Sequence, residues 1–404
     1  MNNINTGTGL SAIREIVSLS DIVVDGLRDA AFDPHQQKQL TRLYTITQAG
    51  ELVGRSTTSI RNAEKAGLLP KPNKDHRDRR IGYSLEDINR MREHFNTRPW
   101  RQEVEDPLVL SVQNFKGGVG KSTVCAHLSQ YLAEKGYRVL VIDCDSQAST
   151  TATFGFRPDY DIEFDETLLP YFDTSSTDAP KEDLHYAIRS TYWDGLDIIP
   201  SNLSLYTSEY LLAAKAGRTG ITWLDRLKTG IDTVSHNYDV VIMDPPPALG
   251  LISLNVLRAA NALVIPTPPA MYDYHSTVTF FRMLENVLET IEKNLGVAVN
   301  YKFLRILISK YDDKKSAQAF VTGIMGKTYA QYLLPSALKT SAEIDNAAVD
   351  WRTVFELDKP ATSKRVHERA LATLRSVCES IEFAIRATWP SHRATLEAEG
   401  RLFN

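Results

Sequence analysis

The sequence predicts an α/β fold: a mostly parallel sheet with helices on both faces. Three observations carry this. Short, nearly all-apolar runs recur, as expected of strands buried on both sides. Helical patterns lie between most of them, and strand–helix alternation marks a parallel sheet. The first such run passes through a glycine-rich turn directly into a helix.

That first run organises the chain. Residues 109–147 read as a strand, the turn K-G-G-V-G-K-S-T, a helix, and a second strand ending D-C-D-S-Q. Gly117, Gly118 and Gly120, with Val119 among them, let successive backbone N–H groups converge on one anion. The helix starting near Lys121 aims its positive end at the same point. Lys121 adds a cation for β- and γ-phosphates, and Ser122 offers a hydroxyl to Mg²⁺. This is a phosphate cradle of the P-loop NTPase type. The generic motif has glycine where Phe115 stands, and Lys116 adds a second cation at the loop's start. That is the deviant form of the motif.

The 404 residues suit two or three domains. We expect a helix within 1–40, a DNA-binding domain and linker over 41–105, and the nucleotide fold over 106–404. The net charge of −4 gives no global nucleic-acid signal, so any DNA contact must be a local patch. The N-terminus lacks the pattern of a secretory signal, and no apolar run of about 18 residues suggests a membrane span. Cys125, Cys144 and Cys378 form no C-x-x-C pair, which suits a reducing cytoplasm and disfavours a zinc site.

Residues 10–36 carry a discontinuous apolar stripe from Leu10 through Ile13, Ile16, Val17, Leu19, Ile22 and Val24 to Leu27 and Ala30. Such a helix must bury its stripe, and pairing with a second copy is favoured over folding back. Residues 44–95 then follow helix-turn-helix grammar, with Thr45 or Thr47 as a cap, a G-R-S turn, and a second helix stopped by Gly67 and Pro70. Between Arg55 and Arg80 there are eight Lys or Arg against three Asp or Glu. The alternative is a solvated basic loop on a small helical domain.

This segment resembles the winged-helix module of MerR-type regulators through Ser59-Ile60-Arg61, Glu64, Gly67-Leu68-Leu69-Pro70, Arg80, Tyr83, Asp87 and Ile88. The resemblance implies that Arg55, Ser56, Thr57, Thr58 and Arg61 lie at the DNA groove. It also implies that Lys74, Arg77, Arg79 and Arg80 grip phosphates from the wing.

Beyond the cradle, Asp143 and Asp145 close the second strand, where open α/β sheets place ligands. Further strands are expected over 196–201, 238–244, 262–269 and 303–312. The one ending in Asp244 delivers a carboxylate toward Mg²⁺, and Pro245, Pro246 and Pro247 stiffen the chain after it. An apolar stripe over 366–385 is read as a helix packed on the sheet, followed by a charged tail.

K-G-G-V-G-K-S-T, V-I-D-C-D-S-Q-A-S and Y-D-V-V-I-M-D-P-P-P-A-L-G together resemble the ParA/MinD class of deviant Walker ATPases over roughly residues 107–390. With the front module, the chain resembles large plasmid-partition ATPases, most closely the RepA group of repABC plasmids. The resemblance implies Mg²⁺-dependent ATP hydrolysis to ADP by a homodimer that sandwiches its nucleotides. Lys116 would reach the neighbour's nucleotide, Lys121 would hold phosphates, and Asp145 would position the attacking water. Thr123 would assist at the α-phosphate, Ser122, Asp143 and Asp244 would serve the metal, and Lys310 and Asp312 would line the adenine pocket. Lys314 and Lys315 would meet DNA non-specifically. Partners implied are a ParB/RepB-like centromere-binding protein, chromosomal DNA and an operator through which the chain represses its own operon, all in the nucleoid-associated cytoplasm. Ser146 replaces the usual proline of D-x-D-P-Q, and Asn261 replaces a common aspartate. Alternative readings are a nucleotide-sensing repressor without a segregation role and a MinD-like positioning ATPase. The charged tail after residue 385 argues against a membrane-targeting end.

Overall fold

The computed structural model describes residues 9–31, 38–69, 71–77, 79–173, 181–216, 222–296 and 298–402. Residues 1–39 and 40–404 are two units. In the first, α1 (Gly9–Ala31) is a single helix. Its apolar residues Leu10, Ile13, Ile16, Val17, Leu19, Ile22 and Val23 are exposed. Residues 32–36 of the expected helix, and the side chains of Val24, Leu27 and Ala30, lie outside the described ones.

The second unit opens with α2 (Ile46–Val53) and α3 (Thr57–Lys65). Thr45 and Gln48 form a capping box at the start of α2, and Gly54, at φ 68°, ends it. Gly50 lets the two helices close up, since a Cβ there would lie 2.8 Å from the Arg55 carbonyl oxygen. An antiparallel hairpin of β1 (Asn73–Lys74) and β2 (Arg80–Gly82) follows, then α4 (Leu85–Phe95), capped by Ser84 and Asp87.

The large sheet begins with β3 (Leu108–Val112), which leads through the glycine loop into α5 (Lys121–Lys135) and β4 (Val139–Asp143). Then come α6 (Ser149–Thr153), α7 (Leu169–Phe172), β5 (Arg189–Ser190), β6 (Leu196–Ile199), α8 (Thr207–Ala216) and α9 (Arg226–Val234). Next are β7 (Val240–Asp244), α10 (Leu251–Ala259), β8 (Ala262–Thr267), α11 (Met271–Leu295) and β9 (Phe303–Ile308). The chain closes with α12 (Ser316–Thr328), α13 (Ala342–Val349), α14 (Lys364–Arg386) and α15 (Pro390–Ala398). Seven strands lie in the order β5-β6-β4-β7-β3-β8-β9, and only the β5–β6 edge is antiparallel.

Strand alternation divides the core. Val139 and Val141 of β4 with Val240 and Ile242 of β7 face α5 and α14. Leu140, Ile142, Val241 and Met243 face the opposite layer, with α9 and α10. Period-two side chains of a strand covered on both sides require this division. The stripe of α14 is buried at Ala370, Leu374, Val377, Ile381 and Ile385. The tail beyond it is not merely charged and irregular: Trp389 is buried, and α15 follows.

Residues 41–105 and 106–404, expected as separate domains, share one hydrophobic cluster running from Tyr44, Ile60 and Ile88 into α5. The linkage is polar as well. Arg92 of α4, fully buried, donates to the Glu134 carbonyl at 2.7 Å, to Asn89 Oδ1 at 2.7 Å and to the Leu52 carbonyl at 3.2 Å. Trp100 Nε1 donates to the Gly136 carbonyl at 3.1 Å. The carbonyls that end α5 are thus capped by the front module, so no boundary in packing falls near residue 105.

Helix α5 also carries a buried histidine. His127 Nε2 accepts from Val354 N at 3.2 Å while Nδ1 donates to the Thr123 carbonyl at 2.8 Å, which requires a neutral ring. Burial pushes its pKa down to about 4. The unfolded chain, with a pKa of about 6.5, therefore takes up the proton first. The contribution to stability is complete above about pH 6.5 and is lost as pH falls toward 4. Urea unfolding should show roughly 2 kcal/mol of loss at pH 5 from this residue, and His127→Gln should flatten that part of the profile.

Candidate nucleotide site

The cradle is built by β3 and α5. Gly118 and Gly120 have φ of 72° and 97°, the left-handed region that glycine reaches without strain. Asn114, buried at the end of β3, fixes the loop's entry: its Nδ2 donates to the Pro266 carbonyl at 2.8 Å, and its Oδ1 accepts from Lys116 N at 3.0 Å. Phe115, the departure from the generic motif, stands edge-on to Phe280 of α11 with centroids 4.5 Å apart. An aromatic anchor thus replaces the usual glycine. Lys121 is buried, and that burial lowers its pKa against the opposing pull of Asp244 and Asp145. Lys116 is exposed enough to move, and its Nζ lies 2.7 Å from Asp273 Oδ1.

The acids arrive from adjacent strands, with Asp143 opposite Asp244 in the β4–β7 register. Asp244 Oδ2 accepts from Thr150 Oγ1 at 2.7 Å, whereas its buried Oδ1 has no hydrogen-bond partner. Burial pushes the Asp244 carboxyl up, opposed by the hydroxyls of Ser122 and Thr150 and by Lys121. Asp143 is held up by burial and by the Asp244 charge. Both of its oxygens are engaged: Oδ2 by Thr151 N and Thr151 Oγ1 at 2.8 Å each, Oδ1 by Asp145 N at 3.1 Å. Asp143 therefore ties down the turn that presents Asp145.

An orphaned carboxylate oxygen beside a serine hydroxyl is a donor set that fits Mg²⁺, which keeps most of its waters and takes few protein ligands. Among the described residues no group of three or more His, Cys, Asp or Glu could cage a metal ion by itself. The ion would instead be shared with a phosphate.

Residues 108–297 match the family described as the AAA domain. SopA of Escherichia coli K12 is 37% identical over 367 residues, which cover 88% of this chain and 92% of SopA. A Rhizobium rhizogenes protein described as a candidate replication protein A is 33% identical over 373 residues, covering 89% and 90%. A solved structure described as a partition protein superposes with a TM-score of 0.64, at 21% identity, over 93% of this chain and 99% of that one.

The chain belongs to the ParA family of plasmid-partition ATPases.

Other site residues predicted for this ParA homologue fall less simply. Lys310 follows β9, is exposed and has φ 50°. Asp312 is occupied in its own turn: Oδ1 accepts from Lys314 N at 3.1 Å, and Oδ2 lies 3.7 Å from Lys315 Nζ. Lys314 and Lys315 are exposed.

In the front module, Ser56 is the N-cap of α3, accepting from Ser59 N at 3.1 Å. Arg55 lies back on the Phe95 carbonyl at 3.3 Å, and Thr57 is half-buried. Thr58 and Arg61 are exposed on α3. In the hairpin, Asp75 binds the Arg79 guanidinium at 2.9 Å, and Glu64 binds that of Arg80 at 2.9 Å. Two of the three arginines expected on phosphate are thus paired within the chain. Arg77 and Lys74 are exposed.

Sequence reading missed Asn114, Thr150, Thr151 and Asp273. The threonines follow D-C-D-S-Q-A-S directly, and Asp273 follows an apolar strand ending in Pro-Pro. Each lies just beyond a strand's carboxyl end, which is the signal that could have drawn attention to them.

Proposed function

We propose that this chain is an Mg²⁺-dependent ATPase that dimerises around ATP, binds chromosomal DNA as the dimer, and is returned to monomers when a ParB-like partner stimulates hydrolysis. The observation that carries the reading is that Asp145 and Asp244, beyond and at the ends of β4 and β7, act on Lys121 at the start of α5, with Lys116 at the loop's outer edge. Lys121 binds the phosphates. Asp145 orients water, on a turn that Asp143 holds. Ser122 and Asp244 would hold the magnesium ion, which when bound supplies charge neutralisation to the phosphates. Thr123 stands one residue further into α5, toward the α-phosphate. A solved McdA–ATP complex from Cyanothece shares the fold, with a TM-score of 0.54 at 23% identity.

Lys116 would leave Asp273 and act on the other copy's triphosphate, stabilising charge that develops on transfer. Lys116→Ala should retain ATP binding and lose ATP-dependent dimerisation, measured by sedimentation with a non-hydrolysable analogue and Mg²⁺. A variant that still dimerises removes this part of the reading. Running the same series on the chain without residues 1–31 separates α1-dependent pairing, which the exposed stripe of α1 supports, from nucleotide-dependent pairing.

The helix-turn-helix is proposed to bind the operator, with Thr58 and Arg61 toward the bases and Lys74 and Arg77 on phosphates. Arg77→Ala should reduce the salt slope of operator binding by about 0.9. Arg61→Ala should cost roughly 1–3 kcal/mol on the operator and leave basal ATPase unchanged. Equal affinities of wild type and both variants would refute this interface. Lys314 and Lys315 are proposed for non-specific DNA. Their double alanine variant should weaken random-sequence binding while operator affinity holds, and an unchanged random-sequence affinity removes that assignment. Because α14 spends its stripe in the core, the helix has no free apolar face for a MinD-like membrane role.

A further inference from the structure

Within a single chain, the Lys116 ammonium is already taken. It pairs with Asp273 in the first turn of α11 at 2.7 Å. The contact is held from both sides. Phe115 pins the loop's start to Phe280, seven residues further along the same helix, and Asn114 holds the Lys116 backbone N–H. The Asp273 side chain is only 16% exposed, and a carboxylate in the first turn of a helix sits in a favourable field. Its neighbours Met271 and Tyr272 are uncovered, at 52% and 86% exposure. The segment that holds the lysine therefore offers bare apolar surface next to the nucleotide cradle.

We propose that Asp273 is a latch on Lys116, a positioning residue that keeps the lysine on its own chain until ATP brings a second copy. This rests on the reading that Lys116 crosses to the neighbour. An ammonium has three donors but one position, so a lysine that delivers its charge to the other copy's phosphate must leave Asp273. Breaking the pair opposes dimerisation, and the triphosphate's charge reverses the balance. The latch thus raises the difference between the ATP-loaded state and every other state, and it restrains a lysine that could otherwise engage a neighbour without triphosphate.

A partly exposed pair of this kind shifts an equilibrium by about threefold. Each dimer releases two, so the dimer dissociation constant should carry about tenfold. The test uses the full chain with Mg²⁺ and a non-hydrolysable ATP analogue, in sedimentation over a range of protein concentrations. Asp273→Asn and Asp273→Ser should each dimerise about tenfold more tightly than wild type, and Asp273→Glu should stay within about twofold of it. Separately, acylation of Lys116 by an amine-reactive ester, read by peptide mass spectrometry without nucleotide, should run about threefold faster in Asp273→Asn. A purely structural role for Asp273 would weaken the dimer and leave the labelling rate unchanged. Unchanged or weaker dimers in both variants overturn the latch, and so does an unchanged labelling rate. The two readings fail differently. A Lys116→Ala chain that dimerises normally removes the crossing lysine, whereas a monomeric Lys116→Ala chain with unaltered Asp273 variants removes only the latch.

Discussion

Asp145→Ala should bind ATP like the wild type and hydrolyse it at least about a hundredfold more slowly, trapping the ATP-bound dimer. The size follows from what a positioned carboxylate contributes in orienting or accepting a proton from the attacking water. The geometry makes the change specific. The Asp145 backbone N–H, not its side chain, bonds Asp143, and Ala148 N bonds the Asp145 carbonyl at 2.9 Å. Alanine keeps both and loses, with the carboxylate, the bond that Asp145 Oδ1 accepts from Gln147 N at 3.0 Å. Single-turnover hydrolysis with separate nucleotide-binding titrations checks this. A variant that hydrolyses at the wild-type rate shows that another group handles the water. Thr151→Ala should have a broader effect, because it releases one of the bonds that fix Asp143.

Arg92→Ala should destabilise the second unit by about 3 kcal/mol or more, read as a lower urea midpoint with the slope unchanged. Three acceptors, the Glu134 and Leu52 carbonyls and Asn89 Oδ1, lose their donor together inside a buried interface. A cavity as large as an arginine side chain adds to that cost. Burial and the nearby Arg98 lower the Arg92 pKa to about 10, so the guanidinium remains charged at neutral pH. Lysine would restore one donor of the fork and not its geometry, so Arg92→Lys should recover only part of the loss. Gly136→Ala should act in the same place. Gly136 has φ 102°, and a Cβ there would lie 2.9 Å from Arg92. A loss below about 1 kcal/mol in Arg92→Ala would mean that the front module contributes little to the shared core. Because α5 starts at the phosphate cradle and ends on Arg92, the same variant also reports whether operator affinity depends on how firmly that helix is capped.

The glycine loop, the strand ending in Asp244 and the two-sided burial of β4 were legible because each depends on a few consecutive residues and a local period. The turn from α2 to α3 was legible for the same reason, through Thr45, Gly54 and Ser56. The direction of Asp143 was not. Its place at a strand end is local, but that its Oδ2 accepts from Thr151 depends on how the following turn folds back. Nothing in the sequence marks Asp75 and Glu64 as the partners of Arg79 and Arg80. Nothing in S-K-Y-D shows that Asp312 accepts from Lys314 N in its own turn.

By itself, the sequence determined the parallel α/β architecture, the nucleotide cradle with its added Lys116, the acids at the strand ends, and two short helices joined by a tight turn ahead of them. Those follow from periodicity, backbone freedom at glycine and side-chain chemistry, all of which act over a few residues. Only the tertiary structure decided that the front module and the sheet share one core through Arg92, that Asp244 keeps an oxygen free while Asp143 does not, and that Lys116 rests on Asp273. Each depends on residues far apart in the chain meeting in a close-packed, weakly screened interior, where the partner a charged group finds sets its role.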